Sequence, residues 1–89
     1  MARIELYGNK HCNPCKMTKQ ALDRIGCDGI EVRYFDAQLD EERFKAMKIK
    51  NIPTLMFFDD DLNLRAVINK GMAESQMRRK LEEIKDDRN

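Results

Sequence analysis

The stretch HCNPCK at 11–16 constrains this chain more than any other, because the hydrophobic period changes across it. Before it, RIELYG (3–8) alternates Ile4 and Leu6 against Arg3 and Glu5, the period of a strand. From Pro14 onward, Met17, Ala21, Leu22 and Ile25 fall at helical spacing, and Gly26 can end the helix. A proline so early is tolerated, since the first amides of a helix lack intrahelical partners. Cys12 and Cys15 therefore sit where a strand hands over to a helix. Such a pair is a redox centre, half of a metal site or a structural staple, and the six letters do not choose.

The rest of the composition narrows the choice. At 89 residues the chain is expected to form one domain spanning 1–89, with a modest core. Seventeen basic and sixteen acidic residues give no electrostatic case for nucleic acid or an anionic membrane. No apolar run approaches a membrane span, and MARIELYG lacks the long apolar segment of an export signal. The expectation is a cytoplasmic protein. There, a close cysteine pair is catalytic or metal-binding more often than a staple. A zinc site normally takes four N/S ligands. The chain offers Cys12, Cys15, Cys27 and the single His11, which is poorly spaced beside Cys12, so no metal site is expected.

Further along, IEVRYFD (30–36) is β-branched and aromatic and reads as a strand. LDEERFKAM (39–47) reads as a short helix with acids in its first turn. TLMFF (54–58) reads as a buried strand, DDDLN (59–63) as a turn and LRAVIN (64–69) as a returning strand. A last helix over 73–86 aligns Ala73, Met77, Leu81 and Ile84 on one face. The order β-α-β-α-β-β-α predicts a small mixed sheet flanked by three helices, with the cysteine pair where open α/β sheets place their chemistry.

That position has an electrical consequence. Unpaired amides at a helix start favour negative charge, so the Cys12 thiolate is stabilised there. The thiolate is the species that attacks a disulfide. Cys15, one turn on, can then attack the mixed disulfide. Lys10, His11 and Lys16 add positive charge nearby in sequence.

ELYGNKHCNPCKMTKQALDRI, followed by IPT at 52–54 and a hairpin ending in INKGMAE, resembles the thioredoxin superfamily through nearly the whole chain. The resemblance implies a minimal thioredoxin fold. It also implies a cis Ile52–Pro53 bond beside the cysteine pair, with Ile52, Pro53 and Thr54 aligning the substrate backbone. Gly71 matches the glycine that lets the last loop approach the active site. The size is similar to glutaredoxins, but Pro14 and Lys16 around Cys15, and Ile-Pro-Thr, are thioredoxin-like. KGMAES stands where glutathione-binding relatives carry Gly-Gly and Asp-Asp.

Three departures matter. Asn13-Pro14 replaces Gly-Pro between the cysteines. His11 replaces a tryptophan, and a protonated His11 would favour an oxidant. Leu6 stands where thioredoxins carry a buried acid, while strand alternation points Glu5 to the other face.

The expectation is a disulfide reductant that needs no cofactor. Cys12 is its nucleophile and Cys15 its resolving thiol, with His11, Pro14 and Lys16 modulating their pKa values. The resemblance implies disulfide-containing protein substrates, electrons from a thioredoxin-reductase-type flavoprotein or glutathione, and a monomer. An oxidant or isomerase of the same fold, and a non-catalytic binding module, are the alternatives. Cys27 reads as a bystander. Met17, Met47, Met56 and Met77 read as core. KIKN (48–51) reads as a solvated loop that could also steer acidic partners.

Overall fold

The computed structural model describes residues 2–86. Met1 and the tail at 87–89, read from the sequence as part of an exposed terminus, lie outside the described residues. The elements are β1 (Arg3–Gly8), α1 (Asn13–Gly26), β2 (Glu31–Asp36), α2 (Glu41–Ala46), β3 (Thr54–Phe58), β4 (Leu64–Ile68) and α3 (Glu74–Asp86). They form one four-stranded sheet in the order β2-β1-β3-β4. β1 pairs parallel with β2 and antiparallel with β3, which pairs antiparallel with β4. This is the minimal thioredoxin arrangement.

Alternation along the two central strands divides the core into two layers. Ile4, Leu6, Leu55 and Phe57 face Ala21, Leu22 and Ile25 of α1 and Met77 and Ile84 of α3. Tyr7, Met56 and Phe58 face the other way, against Phe35, Phe44, Met47 and Ile49. Glu5 shares this second face and is fully buried, so the polar side of β1 is covered too. Its carboxylate accepts two hydrogen bonds from Arg43 of α2, at 3.0 Å each, and one from the Tyr7 hydroxyl at 2.6 Å. A charge enters the core here only because it is paired and hydrogen-bonded.

Several expectations need correction. Met17 is 70% exposed rather than core, because the buried stripe of α1 runs through Cys15, Thr18, Ala21, Leu22 and Ile25. Thr18 takes the inward place: its hydroxyl donates to Pro14 O at 2.8 Å and accepts the Met72 N–H at 3.3 Å. The second helix is shorter than 39–47, which leaves Leu39 outside it and 86% exposed. Ala73 is exposed just ahead of α3, where the Gln76 side chain accepts its N–H. Gly26 is the last residue of α1, as expected, and the positive φ in the turn beyond it belongs to Gly29. The DDDLN turn is organised around a buried Asp59, whose Oδ1 accepts the N–H groups of Asp61 and Asn63.

Candidate active site

α1 begins where β1 delivers the chain. Cys12 is extended (φ −92°, ψ 112°), and its sulfur caps the helix by accepting the Cys15 N–H at 3.3 Å. Cys12 N–H itself donates to Asn9 O at 3.1 Å, which closes the turn ahead of the helix. The Cys12 sulfur thus receives one of the amides that no backbone carbonyl inside a helix can reach. Cys12 and Cys15 are joined as a disulfide with their Cα atoms 5.2 Å apart. Cys12 is half-buried and Cys15 is buried, so the first sulfur is the accessible one.

Strand register brings the other elements to the same end of the sheet. Tyr7 lies opposite Thr54, so Pro53 falls beside the end of β1. The Ile52–Pro53 bond is cis, Pro53 is buried and Ile52 is 41% exposed. The Thr54 hydroxyl donates to Asn51 O at 2.6 Å and lies 3.2 Å from Asn69 Oδ1, tying the proline loop to the end of β4. Beyond Asn69, Gly71 packs on the first turn of α1. A Cβ there would lie 3.0 Å from Thr18 Oγ1 and 3.5 Å from Pro14 Cβ.

Of the charged neighbours expected around the pair, His11 and Lys16 are exposed, as is Pro14. The His11 N–H, on the backbone, donates to Asn9 Oδ1 at 2.8 Å. Among the described residues, neither the His11 nor the Lys16 side chain hydrogen-bonds to a sulfur, whereas the Cys15 amide does. Cys27 is exposed at the far end of α1.

Two residues of the site escaped the sequence reading. Gly8 ends β1 directly under the disulfide, and a Cβ there would lie 2.9 Å from Cys15 Sγ. Its position as the last strand residue before the cysteine turn was the available signal. Thr18 links the active-site helix to the Gly71 loop; its spacing of three from Cys15 could have placed it inward.

A family profile described as glutaredoxin matches residues 4–60. No match was found among curated protein sequences. Among solved structures, thioredoxin-2 of a malaria parasite, a component of its protein secretion machinery, superposes with a TM-score of 0.84 at 15% identity. The match covers 93% of this chain and 82% of that one. A mutant thioredoxin from Halobacterium salinarum gives 0.83 at 17% identity, covering 92% and 73%. Mitochondrial thioredoxin 3 of Saccharomyces cerevisiae, in its oxidized form, gives 0.75 at 15% identity, covering 92% and 77%.

Proposed function

Because the chain belongs to the glutaredoxin family and carries the Cys12–Cys15 pair of a thiol–disulfide redox enzyme, we propose that it works as a reductant of protein disulfides. The Cys15 N–H directed at Cys12 Sγ at the start of α1 carries the nucleophile. The reductant direction is favoured because, among the described residues, the His11 side chain makes no hydrogen bond to a sulfur that would push the couple toward an oxidant. In the reduced protein that amide and the helix dipole stabilise a thiolate on the more exposed sulfur.

The cycle then follows from thiol–disulfide exchange. The Cys12 thiolate attacks one sulfur of a substrate disulfide, forming a mixed disulfide and expelling the other sulfur as a thiolate that takes up a proton. Cys15 loses its proton and attacks Cys12 Sγ, releasing the second substrate thiolate, which is protonated in turn. The substrate gains two electrons and two protons, and the Cys12–Cys15 disulfide is restored. Because Leu6 occupies the place where thioredoxins carry a buried acid, the Cys15 proton leaves without a carboxylate at that position.

Pro53, with Ile52 and Thr54, holds the substrate chain beside Cys12, and the Gly71 loop borders it. The oxidised protein is recharged by a flavoprotein reductase of the thioredoxin-reductase type or by glutathione. It acts as a monomer in the cytoplasm, where a reducing environment keeps such a pair cycling. Cys12→Ser abolishes turnover, whereas Cys15→Ser accumulates mixed disulfides with substrate, read by mass after acid quench. A Cys12→Ser protein that still reduced a disulfide at the native rate would overturn the mechanism.

A further inference from the structure

The sulfur pair has two flanks, and the cycle above uses only the one bearing Pro53 and Gly71. On the opposite flank lies an open groove of about 430 Å³, between the start of α1, the ends of β1 and β2, and the loop ahead of α2. Its inner end is Gly8 and Cys15, and its lining includes Leu6, Phe35 and Tyr34. Leu39 stands on its wall with 86% of its surface in solvent, more than any other large apolar side chain among the described residues.

The rim is charged asymmetrically. Lys10, Lys16 and Lys19 border the groove, together with Asp36 and Asp40. The two carboxylates are already engaged. Asp36 Oδ1 accepts the N–H groups of Gln38 and Leu39, and these backbone bonds, with a further one from Lys10 and the positive charge of that lysine, hold its carboxyl below the usual range. Asp40 Oδ2 accepts the Asp36 N–H at 2.8 Å. The three lysines form no ion pair within 4.0 Å among the described residues; Lys19 Nζ instead sits 5.0 Å from the centre of the Tyr34 ring. The groove therefore offers the Lys16 and Lys19 ammonium groups and an apolar anchor, while its own anions are taken by backbone amides and, for Asp36, by the charge of Lys10.

We propose that this groove docks an acidic, leucine-bearing stretch of polypeptide lying next to the disulfide of a protein substrate. The inference rests on the reductant reading for its substrate class. The bound stretch sets its carboxylates against Lys16 and Lys19 and its apolar side chain against Leu39, on the side of the pair away from Pro53. Such rim charges act mainly on the rate of encounter, so the preference weakens as salt rises.

The test uses pre-reduced protein in single turnovers, followed by acid quench, alkylation and mass. Two synthetic peptides share one two-cysteine disulfide loop, flanked by Glu-Leu-Glu-Asp in one and Lys-Leu-Lys-Lys in the other. The acidic peptide is expected to react about tenfold faster at low salt, with the gap closing at high salt. In Lys19→Glu and Leu39→Ser proteins the preference shrinks, while reduction of the small neutral 2-hydroxyethyl disulfide stays at the native rate. Both side chains are exposed, so neither change threatens folding. Equal rates for the two native reactions, or a preference unchanged in both variants, overturn the proposal. A cysteine-free Glu-Leu-Glu-Asp peptide, titrated into the ¹⁵N-labelled protein, reads the groove without any redox step. Its shifts should centre on Lys19 and Leu39, and shifts centred on Ile52 and Gly71 overturn the assignment. If no disulfide is reduced at all, the reductant reading fails while this titration still decides the groove.

Discussion

A methyl group at position 8 would lie 2.9 Å from Cys15 Sγ and 3.1 Å from its Cβ. Neither side can readily yield. Gly8 is pinned in β1, where its carbonyl accepts the Ala37 N–H at 2.9 Å, and Cys15 is held by the disulfide and the helix. Gly8→Ala is therefore an overpacking change beneath the active site, expected to cost about 1–3 kcal/mol. It should appear as a lower urea midpoint with an unchanged slope, and an unchanged midpoint would show that the contact relaxes freely. At this scale the sequence was legible wherever a residue announces its own chemistry. Cys12 and Cys15 do so, whereas the cis bond at Pro53 came only with the family resemblance. Gly8 and Thr18 do not, because their roles depend on how near α1 sits to β1 and to the Gly71 loop. Met17 misled for a related reason: it lies at helical spacing from Ala21, but on the edge of the stripe, while a hydrogen-bonded threonine takes the buried place.

Among the elements, β1 is central, because both of its faces are buried and only one of them is apolar. The Glu5 carboxylate fastens β1 to α2 through Arg43, whose Nε also donates to the Tyr7 hydroxyl at 3.0 Å. Burial, and then the hydrogen bond to Glu5, push the Tyr7 phenol up to about 12. Arg43→Met leaves a buried carboxylate short of its main partner. The expected loss is about 3 kcal/mol, at the low end for a broken buried pair, since Arg43 is 39% exposed and Arg3 still lies 3.5 Å from Glu5. Chemical denaturation measures it. Glu5→Leu combined with Arg43→Met should recover most of the loss; a double variant as unstable as the single one would assign the cost to packing instead. Alternation made the direction of Glu5 readable, but its burial was not. That depends on α2 crossing over it, and a six-residue helix with no buried residue of its own leaves little pattern to read.

For the whole molecule, element order and a mixed sheet followed from period changes and connection lengths, whereas the antiparallel pairing of β1 with β3 did not. The convergence of Cys12, Pro53 and Gly71 at one end of the sheet follows from register, which spacing alone does not supply. The lysine-rimmed groove was illegible for the same reason: its lining comes from segments brought together only when β1 pairs with β2. As proposed, this architecture poises Cys12 and Cys15 as a reducing couple, and an equilibrium redox titration decides whether it does. The purified protein is equilibrated in thiol–disulfide buffers, quenched in acid, alkylated and weighed. A reducing couple gives a reversible two-electron transition near roughly −270 mV, in the range of thioredoxin-type reductants. A midpoint at about −120 to −180 mV, the range of disulfide oxidants and isomerases, or a pair that does not cycle, would contradict it.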